Sequence, residues 1–317
     1  TFYDTELLEN ARPELIHTQF ARKQALPAGR GKTVEWRKWN TLEDAGALTE
    51  GVIPTGQKFG QSAVTQAITQ YGTYVSVSDQ LELHAIDDVI LGAAEELGAS
   101  AGTTQDKLVR NVAAAGTNVQ YCDKVGTNGA HTAVTSRAGL DTTAKLTPDE
   151  VNKAVTTLKK LNAPTINGKY VAIIHPSVSY DLRENKEWIE AHKYAAVTPL
   201  FTGEIGELHG VRFIETTEAK IWNNNTCPVK TAAASGNQAV YYSVYSTLFL
   251  GKDAFGMIDP EGGGLEMIVK SKEQAGGPLN QFSTLGYKFS TATKIIYQDR
   301  MVRVESLSEY SGTDEAN

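Results

Sequence analysis

Long apolar runs are missing from this sequence of 317 residues. No stretch approaches the roughly 20 apolar residues that a bilayer-spanning helix needs, so no helical membrane span is expected. Also missing is a basic segment leading into a short apolar core, so no secretory signal is expected. Cysteine is scarce: Cys122 and Cys227 stand far apart in unrelated contexts. That fits a reduced, cytoplasmic chain with two ordinary thiols and gives no basis for a bridge. A basic excess is absent too. The net charge is −7, and the stretch from Thr41 to Arg110, with ten acidic residues against three basic ones, accounts for all of it. A module that grips nucleic acid needs a basic face, and this distribution argues against one. It is compatible with a wall that lies near DNA without gripping it.

The signatures of catalysis and metal binding are missing as well. The six histidines, His17, His84, His131, His175, His192 and His209, are scattered, with no HxxxH pair and no cysteine at ligand spacing. There is no G-x-S-x-G elbow. Gly29-Arg30-Gly31-Lys32-Thr33 resembles the end of a phosphate-binding loop, but Leu26 stands where the first glycine belongs and Pro27 interrupts any preceding strand. His175 ends a predicted strand, a place where α/β sheets put function. Its first reading is a packed or turn-stabilising histidine. A cytoplasmic α/β enzyme with His175 and Asp181 in a cleft is the distant alternative. Asp181, Glu184, Glu187 and Glu190 recur every three residues, the pattern of a wet helix face rather than of an acid/base pair. No catalytic residue, metal ligand or cofactor is therefore assigned, and the chain is read as a non-enzyme.

What is present is enough apolar material, 41%, for one proper core or two modest ones. Tyr170–Ile174 is an apolar run entered by Asn167-Gly168 and closed by His175-Pro176, which predicts a buried strand. Ser177 or Ser179 then caps a short helix containing Leu182. A glycine-punctuated bend, Gly203–Gly210, leads to a second strand, Val211–Glu215. Upstream, Thr147-Pro148-Asp149-Glu150 is a capping box with proline at the first helical position, and Val151, Ala154, Val155, Leu158 and Leu161 form the buried stripe. The longest predicted helix is Asp79–Ala115, with a bend or break expected at Gly98 and Gly102. Thr5–Phe20 predicts an amphipathic N-terminal helix, kinked at Pro13, whose Leu7, Leu8, Leu15 and Ile16 lie on the body or on a neighbouring chain.

Thr33–Trp39 alternates as a strand, with Val34 and Trp36 on one face and Trp39 on the other, so at least one tryptophan is expected to be exposed in a single chain. Ser62–Val77 predicts another strand, with Gly72 as a bulge. Between them, Asn40–Gln61 is too long for an ordinary hairpin turn. It keeps apolar residues that a solvated linker does not need: Leu42, Leu48, Val52, Ile53 and Phe59. Thr33–Val77 therefore reads as a long two-stranded arm. An isolated hairpin is only marginally stable in water, so such an arm must lie on something, and another subunit is the expected surface. The second half is mostly strand: Ala239–Leu250, Leu265–Val269, and a closing hairpin of Gly286–Tyr297 with Arg300–Leu307. Ser308–Asn317 reads as a frayed polar tail.

Several segments, in order, carry a family resemblance: SDQLELH at Ser78–His84, AGTTQDKLVRNV at Ala101–Val112, YVAIIHPSVSYDLR at Tyr170–Arg183, GEIGELHGVRFIE at Gly203–Glu215 and PLNQFSTLGYK at Pro278–Lys288. Over roughly Phe2 to Ser306 the chain resembles the major capsid protein of tailed double-stranded-DNA bacteriophages, the Hong Kong phage capsid fold. The resemblance implies an α+β fold divided into an N-terminal arm (1–32), an extended hairpin loop (33–77) and a peripheral domain with a spine helix (78–145). An α/β axial domain (146–255) and a β-rich return to the peripheral domain with a C-terminal tail (256–317) complete it. It further implies a shell of pentamers and hexamers around double-stranded DNA, with scaffold, portal and decoration or cement proteins as partners and no membrane. The chain would reside in the virion capsid after assembly in the bacterial cytoplasm. Subunit contacts are expected from Trp36, Trp39, Leu42, Leu48, Val52, Ile53, Lys58 and Phe59 of the loop and from the arm. An encapsulin-like bacterial nanocompartment shares the implied fold and is the nearer alternative. Lys58 is the only lysine of the loop, and no cross-linking partner is assigned to it.

Overall fold

The computed structural model describes residues 15–27, 31–40, 42–84, 89–192, 204–231, 239–260, 263–275 and 279–317, without the side chains of 82, 84, 191, 192 and 260. Leu7, Leu8 and most of the predicted Thr5–Phe20 helix lie outside them. The described end of that segment, His17–Phe20, is a single 3-10 turn. Strands β1 (Arg22–Leu26) and β2 (Thr33–Trp39) precede the long loop, and β3 (Gln61–Ala67) and β4 (Thr69–Ser78) follow it. Next come helices α1 (Asp79–His84) and α2 (Val89–Ala114), strand β5 (Val119–Tyr121) and helix α3 (Pro148–Lys160). Strand β6 (Tyr170–Ile174) leads into α4 (Pro176–Glu184), α5 (Lys186–His192), β7 (Glu204–Leu208) and β8 (Val211–Glu215). The chain closes with β9 (Val244–Leu250), β10 (Phe255–Pro260), β11 (Glu266–Lys270), β12 (Phe282–Ile295) and β13 (Met301–Ser306).

These elements form two principal sheets. In the first, the order is β1-β10-β12-β11, and β4 runs antiparallel along β12 from Ser78 opposite Phe282 to Thr69 opposite Thr291. In the second, the order is β5-β13-β9-β6-β8-β7, with Ile221–Trp222 paired to β9. All five residues of β6 are buried because both faces of the strand are covered. Tyr170, Ala172 and Ile174 pack with Val151, Leu158 and Leu182 of α3 and α4. Val171 and Ile173 pack on the opposite side with Val109 and Ala113 of α2. A strand buried on both faces reads as a continuous apolar run.

Helix α2 is shared by the two sheets. Its first half, through Ala94, Leu97 and Ala101, packs on Leu285, Tyr287 and Phe289 of the first sheet. Its second half packs on the second sheet. It runs unbroken through Gly98 and Gly102, which lie on its buried side, so the expected break is absent: tertiary packing outweighs a glycine cost of about 1 kcal/mol per residue.

Three further expectations are corrected. The Ser62–Val77 strand divides at Ile68, whose N–H donates to Lys32 O at 2.8 Å. Before that point the chain pairs with β2, and after it with β12. Gly72 is not a bulge, since the β4–β12 register is continuous. A Cβ at Gly72 would stand 2.5 Å from Tyr287 O, so close backbone approach is what requires glycine there. The last two strands do not form a hairpin. β12 belongs to the first sheet and β13 to the second, and the turn Gln298–Arg300 carries the chain between them.

Candidate subunit-contact surface

The most exposed apolar surface among the described residues is carried by the β2–β3 hairpin. The two strands pair in register from Thr33 opposite Ala67 to Trp39 opposite Gln61. Alternation sends Val34 and Trp36 inward, where they meet Ile258, Ala292 and Ile296 of the first sheet. Gly256 clears the space: a Cβ there would stand 3.0 Å from the Trp36 ring and 2.8 Å from Ile296 Cδ1. Trp36 is thus spent on its own chain, with 3% exposure, and is withdrawn from the subunit-contact set.

Trp39 points the other way. It is 60% exposed and stacks on Phe59 with ring centroids 4.4 Å apart and planes at 14°. Beyond this pair the two sides of the loop stay joined by polar rungs. Asn40 N–H donates to Gly60 O at 3.0 Å, and the Ser62 hydroxyl donates to Asn40 Oδ1 at 2.6 Å. The Gln57 side chain acts as an extra peptide unit: it accepts from Glu43 N–H and donates to Glu43 O, both at 2.9 Å. At the tip, Thr49–Val52 turns through Gly51 at φ +79°, a conformation that glycine enters without strain. The rungs hold Leu42, Leu48, Val52 and Ile53 out in solvent, with Ile53 at 93% exposure. Glu43, Asp44, Glu50 and Lys58 of the same loop are exposed as well. An apolar ridge on a braced two-stranded support has no chemistry to perform, but it has a surface to bury.

The N-terminal side of the chain is fixed differently. Leu15 and Ile16 are half-buried, and Ile16 packs on the core that α2 shares with the second sheet. Next to them Asp106, fully buried on α2, accepts from His17 N–H at 2.7 Å and from Thr18 N–H at 3.2 Å through Oδ1. Its Oδ2 lies 2.5 Å from His17 Nδ1. Asp106 therefore does not belong to the acidic surface where charge counting places it. Its partners lie 89 and 88 residues away, beyond any local pattern.

His175 and Asp181, the residues of the enzyme alternative, are engaged within the fold. His175 caps α4: its Nδ1 accepts from Ser177 N–H at 3.2 Å, and its ring lies 5.0 Å from that of Tyr245. Burial lowers its pKa, while Asp314, Glu215 and Glu218 pull the other way. Asp181 accepts from Glu309 N–H at 3.2 Å, and burial raises its pKa. Both are structural. Glu305, fully buried, is held by Arg137 at 2.6 and 2.7 Å, and the Arg137 guanidinium lies 3.8 Å over Trp222. Cys122 and Cys227 are buried and unbridged, and burial pushes the Cys122 thiol up, with the Glu150 and Asp123 charges adding to it. No group of three or more metal-binding side chains occurs among the described residues. No described helix is long and apolar enough to cross a membrane.

An α+β body with a projecting, braced, apolar hairpin has a surface suited to contact with another chain. Residues 88–276 match the family model for phage capsid protein, and this chain belongs to that family. It is a capsid shell protein, and the nanocompartment alternative is not favoured. Solved capsids share its fold at low identity. The capsid protein of Cyanophage P-SCSP1u is 16% identical, with a TM-score of 0.64 over 95% of this chain and 89% of that one. That of Ralstonia phage GP4 is 15% identical, with a TM-score of 0.66 over 92% and 87%. The virus-like particle of Pyrococcus furiosus, at 10% identity, also matches, with a TM-score of 0.53 over 95% and 96%. No curated protein matches.

Proposed function

We propose that this chain assembles into five- and six-membered rings that close an icosahedral or prolate head around double-stranded phage DNA. The observation that carries the reading is the ridge of Leu42, Leu48, Val52 and Ile53, braced outward where its own chain cannot cover it. Heterologous contacts of this kind repeat head to tail and close into rings. An arm overlapping the next subunit reinforces each weak contact through its neighbours. Trp39, Lys58 and Phe59 belong to the same surface, and Leu7, Leu8, Leu15 and Ile16 of the N-terminal arm are further subunit contacts in this reading. The extended loop is then 33–67 rather than 33–77, because β4 pairs with β12. The first sheet with the first half of α2 forms the peripheral domain, and the second sheet, which includes β13, with α3 and α4 forms the axial domain. The head resides in the virion and is built in the host cytoplasm with scaffold, portal and decoration proteins. The chain itself carries out no hydrolase or transferase chemistry. DNA meets a wall with an acidic surplus, which limits sticking while counterions balance the phosphates.

Deleting Leu42–Phe59 tests the reading. The expected product is a soluble, folded chain that no longer forms closed particles in electron micrographs. Normal particles from the deletion would overturn the loop's role. Particles of the intact chain that protect an enzyme rather than DNA from digestion would overturn the genome container and favour a nanocompartment.

A further inference from the structure

The C-terminal segment, expected to fray, is docked across the second sheet, and its last contacts fall on a strand edge. Ile221–Trp222 pairs on one side with Val244 and Tyr245 of β9, and Lys220 O accepts from Ser246 N–H at 2.9 Å on that side. Successive peptide units of a strand point to alternate sides. The N–H of Ile221 and the carbonyl of Ala219 therefore face away from β9. The side-chain amide of Asn317 takes both: its Oδ1 accepts from Ile221 N–H at 3.0 Å, and its Nδ2 donates to Ala219 O at 3.0 Å. One amide thus does what the peptide unit of an added strand would do.

Asp314 locks the segment in place. Its Oδ2 accepts from the Tyr245 hydroxyl at 2.6 Å and from the Ser177 hydroxyl at 3.3 Å. Its carbonyl accepts from the Ser243 hydroxyl at 2.6 Å. Ser243 and Tyr245 are fully buried, so releasing the segment would strand their hydroxyls. Ser243 N–H also donates to Gly312 O at 3.1 Å, a main-chain rung between the segment and the start of β9.

We infer that residues 308–317 guard a sheet edge, and that the edge at Ala219–Trp222, once uncovered, pairs with the same edge of a second copy of this chain. An open edge offers an unpaired donor and acceptor as a template for another strand. A protein that gathers many copies of itself gains from keeping such an edge closed. The inference concerns this edge alone and stands whether or not the loop makes the shell contacts.

The test is amide exchange at Ile221 in the parent chain, in Asp314→Ala and in Asn317→Ala, measured at low and at high chain concentration. Asn317→Ala removes only the capping amide and leaves the buried hydroxyls their partner. In both variants at low concentration, Ile221 is expected to exchange at least tenfold faster than in the parent while the β6 amides are unchanged. In Asp314→Ala, which releases the segment, protection at Ile221 should return as concentration rises, since edge then pairs with edge. Unchanged protection in both variants would overturn the guard. So would loss of β6 protection along with Ile221, which would make the segment an ordinary part of global stability. Faster exchange in Asp314→Ala that does not respond to concentration would overturn the pairing between copies.

Discussion

The indole of Trp36 lies where a side chain on Gly256 would stand, 3.0 Å from the position of its Cβ. This contact seats the arm hairpin on the first sheet, and it makes a residue without a side chain responsible for the arm's position. Gly256→Val should lift the hairpin, because the added methyls meet both Trp36 and Ile296 in a packed site. Overpacking of this kind costs about 1–3 kcal/mol. Denaturant unfolding should register that loss, together with a red-shifted tryptophan emission as Trp36 gains contact with water. An unchanged spectrum would sink the prediction.

Trp39→Ala and Phe59→Ala should behave in the opposite way. The stack they form is exposed, so its loss should cost the isolated chain no more than about 0.5–1.5 kcal/mol. Assembly should suffer far more, because Trp39 and Phe59 mark where the ridge leaves the body. Particle yield by sedimentation, set beside melting of the unassembled chain, separates the two effects. Equal loss in both would show that the stack serves only the chain itself.

Asp106→Ala removes a buried carboxylate that serves two amides, a hydroxyl and an imidazole. Each buried donor left unsatisfied costs about 1–3 kcal/mol. The expected result is a large loss of stability and early proteolytic cleavage near His17, while exchange in β6 remains slow at low temperature. A variant with parental stability would remove Asp106 from its anchoring role.

Acidification should weaken the second sheet and its helices through His175. Burial holds its folded pKa below the ordinary 6.5, against the pull of Asp314, Glu215 and Glu218. The unfolded chain therefore takes up the proton first. Stability rises with pH through this window, and falls as pH drops below 6.5 toward the folded value. Asp314 adds a second loss at lower pH. Burial pushes its carboxyl up, but hydrogen bonds from Ser311, Tyr245 and Ser177 outweigh this and hold it below 3.8. Its contribution is present above 3.8 and disappears as pH falls through the folded value. Asp181 opposes both, because burial raises its pKa. His175→Asn keeps a capping acceptor for Ser177 N–H and should flatten the melting-temperature profile between pH 7 and about pH 5.5, the range around an ordinary histidine pKa. A profile identical to the parent's would remove His175 as its source.

The parts of the fold legible in the sequence are those fixed by short-range chemistry. Thr147 accepts from Glu150 N–H and opens α3 with proline in its first turn, while the Glu150 carboxylate turns to Gln120 and Lys153 instead of completing the capping box. His175-Pro176 ends β6, and the five apolar residues before it are all buried. The exposed ridge was legible too, because a polar linker has no use for Leu48 or Ile53. Trp36 and Trp39 divide between interior and solvent as strand alternation requires, although sequence alone could not say which faced inward. What escaped depends on partners distant in sequence. Ile68, whose N–H turns to Lys32 O, divides what reads in the sequence as one strand. Asp106 looks solvated until His17 is brought to it. Ser308–Asn317 looks frayed until the buried hydroxyls of Ser243 and Tyr245 are seen to need it.

The sharing of α2 between both sheets limits how this molecule can change shape. A hinge formed by a flexible linker would swing freely. Here any tilt of one sheet against the other must pass through a single rod whose two ends are keyed into different cores. Close-packed side chains do not slide continuously, and they settle into discrete alternative fits. Curvature in a closed surface built from this chain should therefore come in a few preferred angles set by the notches along α2.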